Sequence, residues 1–151
     1  MTLEENLGYK FKNNSLMDRA LTRKAYALEQ HQQNKECEDQ EIYRTLGDAV
    51  LKAVLIDLLI KSGCSTRDEI TSRKKSLERE EGLAEISKRL GIGSFLRLGK
   101  GEEKQKAQEE PYVLAETFEA LIGAVYLDGG FEASKKMIMK LFDISGSGVI
   151  I

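Results

Sequence analysis

Two segments of this chain place acidic residues inside otherwise apolar runs, and this pattern constrains the fold more than any other. Residues 41–51 read EIYRTLGDAVL and residues 114–124 read LAETFEALIGA. An unpaired charge in apolar surroundings costs several kcal/mol, so acidic residues are rarely left there without a partner. Acidic residues at helical spacing in such runs indicate a metal site or an ion-pair network.

The apolar residues of the chain recur at helical rather than alternating spacing, and Pro111 is the only proline. This spacing predicts an all-α domain. Pro111 is expected to open a long helix that ends near residues 128–130. Further helices are predicted at about residues 39–61, 66–76, 80–90 and 132–142, and exposed loops at residues 29–40 and 99–108.

The composition sets the class of protein. A chain of 151 residues suits one domain, predicted here as residues 1–142 followed by a short flexible tail at 143–151. Two cysteines and no signal-peptide pattern predict a cytoplasmic protein with free thiols. No apolar run reaches the roughly 20 residues that span a bilayer. A net charge of -2 means that any nucleic-acid binding depends on local basic patches.

Three segments resemble the endonuclease domain of the ribonuclease III family, in the order in which the family has them. The family's signature helix reads approximately ERLEFLGDAVL, and positions 41 and 46–51 of this chain match it. The other two segments are residues 98–103, LGKGEE, and residues 116–130, which end in AVYLDGG. The resemblance covers roughly residues 5–142, which is nearly the whole chain.

The resemblance implies an all-α, metal-dependent endonuclease that cleaves double-stranded RNA and works as a symmetric homodimer. It implies Mg²⁺ or Mn²⁺ as the cofactor, because carboxylate oxygens hold such an ion with most of its waters. Bacterial members carry a separate double-stranded-RNA-binding domain after this one, and residues 143–151 are too few to form it. A separate RNA-binding partner is one way to supply that function.

The resemblance also assigns the site residues. Of four metal-binding carboxylates in the family, three carry over as Asp48, Glu116 and Glu119, with Asp48 and Glu119 as the predicted catalytic residues. Glu116 stands where the family usually has aspartate, and the fourth position is Arg44. On one helix Glu41, Arg44 and Asp48 lie within about 60 degrees of one another, so Glu41 is predicted as an auxiliary metal ligand.

Three arrangements of Arg44 are compatible with the sequence. In the first, its guanidinium lies between Asp48, Glu116 and Glu119 as a fixed substitute for the metal ion. In the second, Arg44 points outward to phosphate and Glu41 reaches in as the missing ligand. In the third, the acidic residues belong to a solvated surface and never converge.

Two functions follow from these arrangements. The first is a metal-dependent endoribonuclease that processes double-stranded RNA. The alternative is a catalytically impaired member of the family that acts as an RNA-binding or protein-assembly module and binds no metal, because Arg44 occupies the metal position.

Four basic residues are predicted to contact RNA phosphates: Lys100 and Lys104 beside a glycine turn, and Arg73 and Lys74 on a helix. The alternative for all four is an ordinary solvated face. Arg23 occupies the place of a family histidine. The only histidine, His31, lies six residues before Cys37, and this pair lacks two further ligands at a recognisable metal-site spacing.

Overall fold

The structure, a computed structural model, describes residues 2–142, which form eight α-helices and two short 3₁₀ turns at Ile92–Phe95 and Ala107–Glu109. The described residues contain no strand, only an isolated parallel bridge between Thr22 and Arg97, so the all-α prediction is confirmed. The predicted tail 143–151 lies outside these residues. The helices are α1 (Leu3–Leu7), α2 (Asn14–Ala20), α3 (Lys24–Gln32), α4 (Glu41–Lys61), α5 (Arg67–Leu77), α6 (Glu80–Leu90), α7 (Lys100–Lys104) and α8 (Pro111–Leu141).

The predicted loop at 99–108 was wrong in its first half, where α7 forms. The Glu102 carboxylate accepts a hydrogen bond from the Gly99 backbone N–H at 3.2 Å, and Glu29 accepts one from the Lys100 N–H at 2.9 Å. These carboxylates satisfy N–H groups that have no partner within the helix, which stabilises its first turn. The predicted loop at 29–40 was also too long, because α3 continues to Gln32.

Helix α8 contains one break, at Gly130, where φ is 87° and ψ is -177°. This conformation strongly favours glycine, since a Cβ makes positive φ costly. The break agrees with the predicted division between a long helix from Pro111 and a last helix near 132–142. None of the helices in residues 2–142 combines the length and the apolar character needed to cross a membrane.

The core of the domain lies between α4 and α8, which pack against each other more extensively than any other pair of helices. Fully buried side chains line both, including Leu51, Leu55 and Leu58 on α4 and Phe118 and Ile122 on α8. Helix α6 covers another side of α8 through its own apolar face. The helix predicted for residues 39–61 therefore lies at the centre of the molecule.

The backbones of α4 and α8 touch where two glycines meet. A methyl group on Gly47 would overlap the backbone carbonyl of Glu119, and one on Gly123 would overlap the backbone carbonyl of Tyr43. The absence of side chains at these two positions permits the close approach of the helices. Residues on either side of the crossing are thereby held at short range from one another.

We expect Gly47→Ala to destabilise the protein by about 3 kcal/mol or more, because an added methyl group forces the two backbones apart. Gly101→Ala is the matched control, since nothing lies within 4 Å of a Cβ at that helical position. The control is expected to be neutral or to gain about 0.5–1 kcal/mol from helix propensity. Urea unfolding followed by circular dichroism measures both, and equal stability of the two variants would contradict the close approach.

Candidate active site

The crossing of α4 and α8 brings together the acidic residues that the sequence singled out. Arg44 and Asp48 project from α4 on either side of Gly47, while Glu116 and Glu119 lie one turn apart on α8. The structure arranges these side chains in two adjoining ion-pair groups rather than in one cluster. Among residues 2–142, no group of three or more acidic, histidine or cysteine side chains is arranged to bind a metal ion.

Glu116 is the centre of the first group, and each of its carboxylate oxygens contacts a different arginine. Nη1 of Arg44 lies 2.7 Å from Oε2 of Glu116, and Nη1 of Arg23 lies 2.8 Å from Oε1. The Arg23 contact is a charge-assisted hydrogen bond, a kind roughly twice as strong as a neutral one, and the Arg44 contact is an ion pair. Arg44 is therefore turned toward Glu116, but it does not lie between all three carboxylates as the first predicted arrangement requires.

Arg23 is held in place by two further partners. Its Nε donates to Glu102 at 3.1 Å and its Nη1 to the amide oxygen of Gln40 at 3.2 Å. Gln40 is buried and donates in turn to the Ala20 carbonyl at 2.7 Å and to the hydroxyl of Thr117 at 3.3 Å. Burial opposes the charge of Arg23, but the hydrogen bonds to Glu116 and Glu102 outweigh it and raise the pKa of the guanidinium.

Asp48 belongs to the second group, where its partner is a lysine. Nζ of Lys52 lies 2.7 Å and 2.8 Å from the two carboxylate oxygens of Asp48. It also lies 3.9 Å from Glu78, whose other oxygen is 3.0 Å from Nζ of Lys74. Asp48 is thus neutralised by a side chain four residues further along its own helix.

Glu119 lies beside Asp48 and takes no cationic partner among the ion pairs of residues 2–142. Burial and the hydrogen bond with Asp48 raise the pKa of Glu119 to about 8. Burial also acts to raise the pKa of Asp48, but hydrogen bonds from Lys52 and Glu119 outweigh it and leave that pKa below its ordinary value. At neutral pH, therefore, the two carboxyl groups share one proton, as closely spaced carboxyl groups do.

The remaining predicted ligand, Glu41, lies apart from these groups. Its side chain is about half exposed and lies 3.3 Å from Nζ of Lys24. Glu41 does not take the position that the second predicted arrangement gives it, since Arg44 is turned toward Glu116. Nε2 of the His31 imidazole lies 2.7 Å from the backbone oxygen of Cys37, and this hydrogen bond does not involve the Cys37 thiol.

The four predicted RNA-binding residues differ in the exposure of their side chains and in the contacts that their charged groups already make. Lys100 and Lys104 are exposed at the two ends of α7. Lys74 is largely buried against Glu78, and a guanidinium nitrogen of the otherwise exposed Arg73 lies 3.2 Å from the Cys64 sulfur. The structure therefore favours the α7 lysines over the α5 pair as contacts for phosphate.

Sequence reasoning did not assign site roles to Lys52, Glu78, Gln40, Glu102 or Arg23. The ion pair of Lys52 with Asp48 could have been predicted, because the two residues have the i,i+4 spacing of helical ion pairs. Glu102 lies within the matching segment 98–103, but the contact with Arg23 spans 79 positions of the chain. Contacts of that range depend on how the helices pack, and a single sequence does not reveal them.

The fold and the position of these residues define the class of the protein. A family model described as ribonuclease-III-like matches residues 13–144, and the chain belongs to this family. It is 38% identical over 142 residues to Ribonuclease 3 of Bdellovibrio bacteriovorus, covering 93% of this chain, and 37% identical over 142 residues to Ribonuclease 3 of Streptomyces coelicolor. The chain spans 59% and 50% of the lengths of these relatives.

A solved structure of the nuclease domain of Ribonuclease III from Campylobacter jejuni shares the fold. It superposes with a TM-score of 0.83 at 31% sequence identity, and the match covers 92% of both chains. A second structure of that domain gives a TM-score of 0.81 at 32% identity. The described helices therefore form a ribonuclease III nuclease-domain fold, as the sequence resemblance predicted.

The raised pKa of Glu119 predicts how stability depends on pH. The unfolded carboxyl loses its proton near its ordinary pKa of 4.5, whereas the folded one keeps it to about pH 8. Because the folded state binds more protons in this window, stability falls as the pH rises from about 4.5 to 8. Glu119→Gln, which has no proton to lose, should gain roughly 1–3 kcal/mol on the wild type across this range.

Urea unfolding in metal-free buffer at several pH values between about 5 and 8.5 measures this difference. Glu85→Gln, an exposed position on α6, is the control and should follow the wild-type curve. A Glu119→Gln variant whose pH dependence parallels that of the wild type would argue against the shared proton.

Proposed function

We propose that this chain is a metal-dependent endoribonuclease domain that cleaves double-stranded RNA, with Asp48 and Glu119 as its catalytic residues. The observation that carries the proposal is the paired carboxyl groups of Asp48 and Glu119, which two crossing helices hold together at the family's metal-ligand positions. Membership of the ribonuclease-III-like family supports the choice of RNA as substrate. Related proteins carry the name Ribonuclease 3.

The donor set of Asp48 and Glu119 fits a Mg²⁺ or Mn²⁺ ion. Mg²⁺ is commonly bound by one or two carboxylates, with waters and substrate phosphates completing its coordination. The raised pKa of Glu119 beside Asp48 indicates that a second negative charge is unfavourable at this position unless a cation neutralises it. When bound, such an ion offsets charge on a phosphate and lowers the pKa of a bound water. Ion binding requires loss of the shared proton, so affinity is expected to rise with pH.

Of the other site residues, Lys52 forms an ion pair with Asp48, whereas Glu116 and Glu41 pair elsewhere. Lys52 neutralises Asp48, and its flexible stem and 41% exposure allow the ammonium group to move aside. The resemblance predicts Glu116 and Glu41 as further ligands, but both have other partners. In this structure Glu116 is bound to two arginines and Glu41 to Lys24.

We further propose that two copies of the chain associate as a homodimer. Ile42 on α4 is 61% exposed, and Tyr126 and Leu127 on α8 are 37% and 49% exposed. Each of them lies within four positions of Tyr43 or Gly123, whose contact lies at the crossing of α4 and α8. The Campylobacter jejuni structure describes a region involved in dimer formation of that nuclease domain.

Free thiols at Cys37 and Cys64 are compatible with the cytoplasmic location expected from the sequence.

Removal of either catalytic carboxylate should abolish cleavage. We expect the wild type to cut a long RNA duplex in Mg²⁺ or Mn²⁺ but not in EDTA, and Asp48→Asn and Glu119→Gln to lower the rate at least about 100-fold, or roughly 2.7 kcal/mol of transition-state stabilisation. Gel analysis of end-labelled duplex measures the rate, with Glu85→Gln as the control. An unchanged rate in Glu119→Gln would falsify the enzyme assignment.

A second candidate function is an RNA-binding or protein-assembly module without catalysis. The contact of 2.7 Å between Arg44 and Glu116 favours it, because a fixed guanidinium stands where the family has a carboxylate ligand. A module of this kind would bind RNA equally in EDTA and in Mn²⁺ and would cleave in neither. The cleavage assay therefore separates the two functions directly.

Either function requires a surface that binds phosphate, and we expect Lys100 and Lys104 to contribute to it. Replacing both with alanine should weaken binding to a duplex about fivefold or more and lower the slope of log affinity against log salt by about one per lost contact. Fluorescence anisotropy in EDTA at several salt concentrations measures the slope. Lys88→Ala, an exposed lysine on α6, is the control. The same slope in both variants would remove α7 from the RNA-binding surface.

A further inference from the structure

We propose that Arg23 and Arg44 form a permanent two-guanidinium clamp on Glu116, so that Glu116 is a structural residue and a divalent ion binds only at Asp48 and Glu119. The clamp consists of Arg23, Arg44 and Glu116. The inference rests on the proposed metal-dependent function for the ion at Asp48 and Glu119. The clamp itself does not depend on it.

The first argument is the occupancy of the Glu116 oxygens. Oε1 lies 2.8 Å from Arg23 and Oε2 lies 2.7 Å from Arg44, so each oxygen already has a cationic partner. A metal ion at Glu116 would have to displace one guanidinium and would then lie close to two positive charges. Repulsion between like charges at such distances is strong in a partly buried site.

The second argument is the difference between the cations that neutralise Asp48 and those that neutralise Glu116. Asp48 is neutralised by Lys52, a flexible ammonium that can swing away. Glu116 is neutralised by guanidinium groups, which keep their charge at any pH at which the protein is folded. The carboxylate beside the lysine can therefore exchange its partner for a metal ion, whereas the carboxylate in the clamp cannot.

The third argument is that Arg23 is anchored from several elements. Its contacts with Glu102 and Gln40 hold it from α7 and from the start of α4, in addition to Glu116 on α8. The bridge between Thr22 and Arg97 fixes the backbone next to it, with a hydrogen bond of 3.0 Å from the Arg23 N–H to the Arg97 carbonyl. With only 14% of its side chain exposed, Arg23 has little freedom to release Glu116.

The clamp predicts how many metal ions each chain binds, and this number is measured without an activity assay. Calorimetric titration of the 151-residue chain with Mn²⁺, checked by electron paramagnetic resonance, should give one ion per chain. Glu116→Gln should retain that ion with affinity within about twofold, whereas Glu119→Gln should weaken it more than about tenfold as a ligand loss does. Two ions per wild-type chain, or weakening of more than about tenfold in Glu116→Gln, would overturn the proposal.

Thermal denaturation in EDTA tests the clamp without any metal. Arg44→Gln and Glu116→Gln should each lower the melting temperature by about 3–8 °C, and the double variant should lose less than the sum, because both single changes break the same contact. Additive losses would overturn the clamp. Arg44→Gln keeps Arg23 on Glu116, so it provides a folded variant if Glu116→Gln does not fold. It should also bind one Mn²⁺ at Asp48 and Glu119, and loss of that ion in this variant would overturn the proposal.

The Mn²⁺ titration tests the proposed endonuclease function, whereas the thermal denaturation in EDTA tests the clamp. A wild-type chain that binds no Mn²⁺ contradicts the proposed endonuclease function, while the non-additive loss of melting temperature still supports the clamp. A chain that binds one Mn²⁺ with additive losses contradicts the clamp and leaves the endonuclease function in place.

Discussion

The close contact between the backbones of α4 and α8 determines how Arg44, Asp48, Glu116 and Glu119 are placed in the candidate active site. Gly47 lies against the carbonyl of Glu119 and Gly123 against that of Tyr43, so neither helix can rotate or slide without a clash. Arg44 and Asp48 are consequently held opposite Glu116 and Glu119. The same crossing forms the centre of the core, which means that the geometry of the site and the stability of the fold depend on one contact.

At this crossing, acidic residues inside apolar helices are accommodated in two different ways. Glu116 is neutralised by two arginines, one of which is anchored by Glu102 and Gln40. Asp48 is neutralised by one lysine, and Glu119 by a proton that it shares with Asp48. A proton and a lysine can both be exchanged for another cation, but a guanidinium clamp cannot. The chemistry available to the site is therefore concentrated at Asp48 and Glu119.

In this member of the ribonuclease-III-like family, Arg44 is accommodated by an ion pair with Glu116. Where the resemblance predicts a metal-binding carboxylate, this chain has Arg44, whose charge is neutralised by Glu116, while Glu102 supplies the second negative charge that balances Arg23. The fold is preserved because the ion pairs satisfy all the charges around Glu116 internally. In the proposed function, cleavage of RNA depends on an ion held by Asp48 and Glu119.

Much of the fold was readable from the sequence, because helices depend on local spacing. The bounds of α6 and the helix break at Gly130 followed from apolar periodicity and from glycine. The sequence also identified Asp48, Glu116, Glu119 and Arg44 as the residues that matter at the crossing. It missed α7, whose first turn is stabilised by Glu29 from a distant part of the chain.

The tertiary structure alone decided the partners of these residues. The pairing of Arg23 with Glu116 spans 93 positions, and the pairing of Arg23 with Glu102 spans 79. Helical spacing predicts which side chains share a face of one helix, but it does not predict which faces of two helices meet. The sequence by itself determined an all-α domain with charged residues within apolar helices, and helix packing decided which charges neutralise each other and which carboxyl groups have no arginine partner.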